Sequence, residues 1–136
     1  MTEEPHSNNY SYEDDTIKRL IEDKIPDFIN LLSKIFDISK KNNNKFSIYF
    51  ASKDTIQKLN KEFRDIDAPT DVLSFNIEDE FAGDEYLGEI ICCPEILFER
   101  ADTQKALYKD HFAYMILHSY LHLLGYEHEN EEEYAK

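Results

Sequence analysis

The feature that most restricts how this chain can fold is residues 111–128, a largely apolar run in which His118, His122 and His128 fall in the pattern H-x3-H-x5-H. Phe112, Ile116 and Leu123 make one helical stripe, and Ala113, Leu117, Leu121 and Leu124 make another. That spacing predicts a helix apolar over most of its surface and central to the fold. On it His118 and His122 lie one turn apart, with Cβ atoms roughly 5–6 Å from each other. Gly125 supplies the left-handed residue that commonly ends a helix, so the chain can turn back and deliver His128. Imidazoles on an apolar helix cost free energy unless they are satisfied, and one cation satisfies several at once. Three neutral nitrogen donors with an open fourth position is the arrangement of a catalytic zinc, so His118, His122 and His128 are the expected ligands.

Metzincin proteases share this spacing, and there a Glu directly after the first histidine is the general base. Here that position is Ser119, whose hydroxyl cannot take a proton from water near neutral pH. A zinc metalloprotease would keep its ligands and lose its base. His111 lies about 10 Å below His118 along the helix, too far to share the ion, and reads as a surface or helix-start residue. Tyr114 and Met115 read as packing.

A chain of 136 residues with 41% hydrophobic content suits one compact domain. Residues 1–14 lack periodicity and read as a disordered acidic arm holding His6, with 15–136 as the single domain. Helical spacing runs from Asp15 to about Ser39, divided at Pro26. A strand follows over Lys45–Ala51 and a helix over Lys53–Arg64, with Ser52 as its N-cap. A short strand over Val72–Phe75, an acidic loop over Asn76–Glu85 and a strand over Tyr86–Cys93 come next, the last with Gly88 marking a bend or close approach. Pro94 opens another helix. The alternation predicts an α/β (α+β) fold, a single mixed sheet covered by helices around the histidine helix. The helix between the first two of these strands would permit a parallel pair.

Cys92 and Cys93 are neighbours on a strand and face opposite ways, so they read as reduced thiols of a reducing compartment. No run approaches the ~20 apolar residues of a membrane span, and no signal peptide is visible. A cytoplasmic protein is expected. The formal net charge of −14 argues against nucleic acid until its distribution is considered. Residues 33–64 hold eight basic residues against three acids, whereas residues 65–102 hold twelve acids and only Arg100. One basic block in an acidic chain can attract a polyanion locally.

Three stretches taken together resemble a known family. Leu59, Asn60 and Arg64 lead into Pro69, Thr70, Asp71, Val72, Leu73, Ser74 and Phe75; Leu87 to Ile90 follow; His118 to His128 close the series. In that order they resemble the YbeY family of bacterial metal-dependent endoribonucleases. The resemblance implies a zinc-binding α/β domain that cuts single-stranded RNA, acting in ribosomal RNA maturation and ribosome quality control, with the ribosome or ribosomal proteins as partners. It matches His118, His122 and His128 to the metal ligands and Arg64 to the functional arginine, so Arg64 and His118 are the catalytic candidates. Ser119 stands where the family usually has Gly, Glu127 and Glu89 where it has Asp, and Asn76 where Pro is common.

Arg64 suits charge growing on phosphate oxygens through its planar fork of donors, or alternatively a helix C-terminus, where it would complement the dipole. Asp71 either anchors an imidazole or caps the turn before its strand. Glu127 either orients His128 or faces solvent. A different class stays open: a ribosome-docking module whose metal is structural and which does not hydrolyse RNA. A fourth protein ligand would favour it.

Overall fold

A computed structural model of the chain describes residues 9–76 and 86–125. Its elements run β1 (Tyr10–Tyr12), α1 (Asp15–Lys24), α2 (Phe28–Lys41), β2 (Lys45–Phe50), α3 (Lys53–Arg64), β3 (Val72–Asn76), β4 (Tyr86–Cys92), α4 (Pro94–Gln104) and α5 (Tyr108–Leu123). Local chemistry sets most of the boundaries. The Asp14 carboxylate accepts from the Ile17 amide at 3.0 Å and caps α1, while Pro26 separates α1 from α2. Ser52 Oγ accepts from the Thr55 amide at 3.2 Å to start α3. Pro94 opens α4, where its missing N–H costs nothing.

The strands form one mixed sheet in the order β1-β2-β4-β3. β1, β2 and β4 are parallel, and β3 is antiparallel to β4. The strands on either side of α3 are therefore not partners, because β4 inserts between them; the parallel pair that α3 permitted does not form. Gly88 in β4 pairs with Asn76 of β3 at φ +149, where a Cβ would lie 2.1 Å from the Phe75 carbonyl oxygen. The close approach expected there is real.

The amino-terminal stretch departs from expectation. Of the disordered arm expected over residues 1–14, residues 1–8 lie outside the described residues, and Tyr10–Tyr12 is instead an edge strand, with Tyr10 opposite Ile48 and Tyr12 opposite Phe50. Residues two apart share a strand face, and both rings use it. Tyr10 stacks on Phe36 with centroids 6.5 Å apart, and Tyr12 on Phe50 at 5.5 Å. Just beyond, the Glu13 carboxylate accepts from the Ser52 amide at 2.9 Å. Three residues are too few for alternation to announce a strand.

Two apolar layers sandwich the sheet. The larger gathers Phe46, Ile48, Phe50, Ile90 and Cys92 against α1, α2, α4 and α5. The smaller joins Leu73, Ile91 and Cys93 to Ile56 of α3. Cys92 and Cys93 are both free thiols and enter opposite layers, as strand neighbours must. Each full burial of a Phe, Ile or Leu side chain contributes roughly 1.5–3 kcal/mol, so the larger layer dominates stability.

Ring contacts fix the helix directions. Phe28 and Phe112 meet Phe50 at one end of β2, while Phe36 and Tyr120 meet Phe46 at the other. Thus α2 and α5 run opposite to β2. α3 does likewise, since it follows β2 directly and its Phe63 packs on Phe75 at 5.2 Å. All three helices end where β2 and β4 begin.

Candidate functional site

Helix α5 lies over β3 and β4 and against α2 and α4. Phe112, Ile116, Ser119, Tyr120 and Leu123 are its buried side. The second apolar stripe read from the sequence is not buried as a unit, for Leu121 and Leu124 are exposed. On the outward side, the His118 and His122 rings stand with centroids 4.5 Å apart and planes inclined by 58°. Burial, with a smaller push from His122, holds the His118 imidazole below its ordinary pKa. That favours the neutral ring, the form that donates a lone pair to a metal.

His122 Nε2 is buried and has no hydrogen-bond partner among the described residues. A buried polar atom left this way costs about 1–3 kcal/mol. Coordination to a divalent cation would remove that cost, so the two imidazoles fit one. Gly125 takes φ +102, and its amide donates to the His122 carbonyl at 3.0 Å, ending the helix as expected. His128 and Glu127 lie outside the described residues. Among the described residues, no group of three or more His, Cys, Asp or Glu side chains is placed to hold a metal.

Asn76 belongs to β3 rather than to the loop expected from it onward. Its Nδ2 donates to the Leu123 carbonyl at 2.9 Å, anchoring the last turn of α5 to the free edge strand. Arg64 is exposed at the end of α3. Neighbouring Phe63 packs on Phe75, which puts the last turn of α3, and Arg64 with it, at the same end of β3 on the other face of the sheet. Lys40 and Lys41, in the last turn of α2, come to this end too, as does Lys45 at the start of β2. Topology therefore brings Lys40, Lys41, Lys45 and the α3 terminus bearing Arg64 to the end of the sheet at which α5 finishes.

Other candidates take different places. Asp71 precedes β3, roughly 16 Å along the strand from Asn76. Its buried carboxylate accepts from the Val72 amide at 2.9 Å and pairs with Arg100 Nη1 at 2.9 Å, so it caps the turn rather than anchoring an imidazole. His111 sits in the first turn of α5 but is 7% exposed, buried rather than on the surface. Ser119, where a metzincin holds its base, is 1% exposed and packed on the inner side of the helix. Tyr114 is 58% exposed and stacks on His118 with centroids 5.8 Å apart and planes within 17°. The packing role read for it fails, because it falls on the stripe that α5 leaves outside. Met115 does pack against the larger layer.

A mixed α/β domain with paired histidines on one helix and basic residues at the same end of the sheet has the character of a phosphodiester hydrolase. Comparison with known proteins agrees. The family profile of Endoribonuclease YbeY matches residues 7–136. The Endoribonuclease YbeY of Staphylococcus saprophyticus is 36% identical over 118 residues, covering 79% of this chain and 77% of that protein. The Endoribonuclease YbeY of Lactobacillus gasseri is 36% identical over 124 residues, covering 82% and 71%. A solution structure of a Thermotoga maritima protein superposes with a TM-score of 0.59 at 31% identity, over 88% of this chain and 73% of that one. The chain belongs to the endoribonuclease YbeY family, and with it to the hydrolases that cut RNA internally. No helix among the described residues is long and apolar enough to cross a membrane.

Proposed function

We propose that this chain is a zinc-dependent endoribonuclease of the cytoplasm. Its substrate is single-stranded ribosomal RNA, cut during rRNA maturation and ribosome quality control. His118, His122 and His128 hold the cation. The observation that carries the reading is the His118–His122 ring pair with the unpartnered, buried Nε2 of His122. When bound, zinc would supply Lewis acidity that brings the pKa of a coordinated water down toward neutrality, which suits a site whose Ser119 cannot serve as base. Burial and His122 push the His118 imidazole below its ordinary pKa, which favours the neutral, lone-pair-donating ring. Arg64 presents its guanidinium fork to the phosphate oxygens and offsets the charge that grows on them during cleavage. Lys40 and Lys41 draw the RNA backbone toward the same end.

The test is metal analysis paired with cleavage of a structured rRNA fragment, comparing the wild type with His122→Ala. The reading expects stoichiometric zinc and cleavage in the wild type and neither in the variant. Bound zinc without any RNA cleavage in the wild type would favour the ribosome-docking module with a structural cation; cleavage that survives loss of the metal would overturn the zinc-dependent mechanism.

A further inference from the structure

Cation binding accounts for His118 and His122 but leaves the residue one turn earlier unexplained. α5 buries Phe112 and Tyr120 almost completely, yet leaves Tyr114 58% exposed. The ring is not loose. It lies within 17° of parallel to the His118 imidazole, with centroids 5.8 Å apart. The phenol thus lies offset from and nearly parallel to a ligand candidate while more than half of the residue's surface stays exposed. Further along the same stripe Leu121 is also exposed, so apolar surface continues beside the histidines.

We propose that Tyr114 is a nucleobase-stacking platform, taking the base beside the scissile phosphate of a single-stranded RNA on its open face. This inference rests on the RNA-cleaving reading above and adds a subsite to it. Every base has a π face, so an exposed aromatic ring binds single strands with little regard to sequence. In a duplex those faces are already stacked on their neighbours, and the platform has nothing to take. Preference for single strands then follows from Tyr114 without any base-edge contact. Because Tyr114 is itself stacked on His118, a bound base extends one continuous pile of rings ending at the imidazole. That fixes how far the adjoining phosphate lies from the paired histidines. Tyrosine suits the task, since its rigid ring loses little conformational freedom on binding.

The experiment uses the metal-loaded protein and a short single-stranded RNA containing 2-aminopurine, with phosphorothioate linkages that slow hydrolysis, read at times before turnover. Fluorescence quenching reports stacking, and anisotropy reports affinity. Wild type and Tyr114→Phe, which keep a ring, should quench the probe. Tyr114→Ala should abolish quenching and weaken binding roughly tenfold, with metal stoichiometry unchanged. Replacing the probe base by an abasic site should make wild type and Tyr114→Ala bind alike.

Equal quenching in Tyr114→Ala overturns the proposal. So does weakened binding that merely tracks loss of metal, which would reduce Tyr114 to a support for His118. Tyr114→Phe behaving like Tyr114→Ala also overturns it, by shifting the role to the hydroxyl. If the wild type stacks the probe but never cleaves natural RNA, the nuclease reading falls and the platform stands. If it binds no single strand at all, both fall.

Discussion

The side-chain amide of Asn76 donates to the carbonyl oxygen of Leu123 at 2.9 Å, tying the last residue of β3 to the last turn of the helix that bears His118 and His122. Helix ends leave carbonyls without partners, and this bond satisfies one of them from a neighbouring element. A proline at this place would have no such donor. Asn76→Ala should cost about 1 kcal/mol of stability and weaken zinc retention as the last turn loosens. Thermal unfolding with and without added zinc measures both effects. An unchanged zinc-dependent gain would show the tether to be irrelevant to the site.

His122→Leu separates the metal-bound state from the bare one. The variant removes a buried nitrogen that no described residue satisfies, so the metal-free protein should hold its stability or gain up to about 1 kcal/mol. The rise in melting temperature on adding zinc should vanish. If His122→Leu destabilises the metal-free protein strongly, the ring is a packing element first.

Arg64 is exposed and forms none of the ion pairs seen among the described residues. Its truncation should therefore shift stability by no more than about 0.5 kcal/mol. Turnover of RNA should fall by roughly 100-fold or more, as when one donor to a developing charge is removed, while zinc content stays constant. Lost metal or lost fold in Arg64→Ala would reassign the residue to structure.

Gly88→Ala tests the strand pair beneath the site. The added Cβ would lie 2.1 Å from the Phe75 carbonyl oxygen, and φ is +149. Neither backbone can yield without opening the β3–β4 ladder. A loss of roughly 3 kcal/mol or more is expected, measured by denaturant unfolding. A mild effect would mean that β3 is easily displaced.

Tyr12 gives the edge strand a pH signature. Burial, with smaller pushes from Tyr10 and Glu22, raises its pKa from 10.0 to about 12, and its hydroxyl is buried without a partner among the described residues. In the unfolded chain the phenol ionises near 10, before it does in the fold. Stability from this group is therefore full below pH 10 and is lost as pH rises through about 12. Tyr12→Phe should lessen the alkaline loss, followed by circular dichroism between pH 9 and 12. Tyr49, also raised by burial, remains as background. An unaltered profile would place the transition in other groups.

Local chemistry was legible in the residues, and long-range pairing was not. Ser52, Pro26, Pro94 and Gly125 act where they stand, because a cap, a break or a left-handed turn needs only its neighbours. The His118–His122 pair was equally readable, since one helical turn brings the rings together. That β4 would part β2 from β3 had no signal, because apolar alternation says which face is buried and not which strand lies alongside. That the α3 terminus bearing Arg64 and the last turn of α5 finish at one end of the sheet depends on that same order, so the spacing between them could not disclose it. The exposure of Tyr114 and the burial of His111, which does stand at the helix start, escaped for a related reason: a helix apolar nearly all round does not reveal which stripe its neighbours cover.

The two thiols have a practical consequence. Cys92 and Cys93 share a peptide bond, yet each is sealed at 0% exposure on its own side of the sheet. A reagent in solution can alkylate either one only during a transient opening of the layer above it. With Cys93→Ser the labelling rate becomes a clock for the thick layer, and with Cys92→Ser for the α3 layer. Two neighbouring sulfurs thereby let the breathing of each half of the molecule be timed apart.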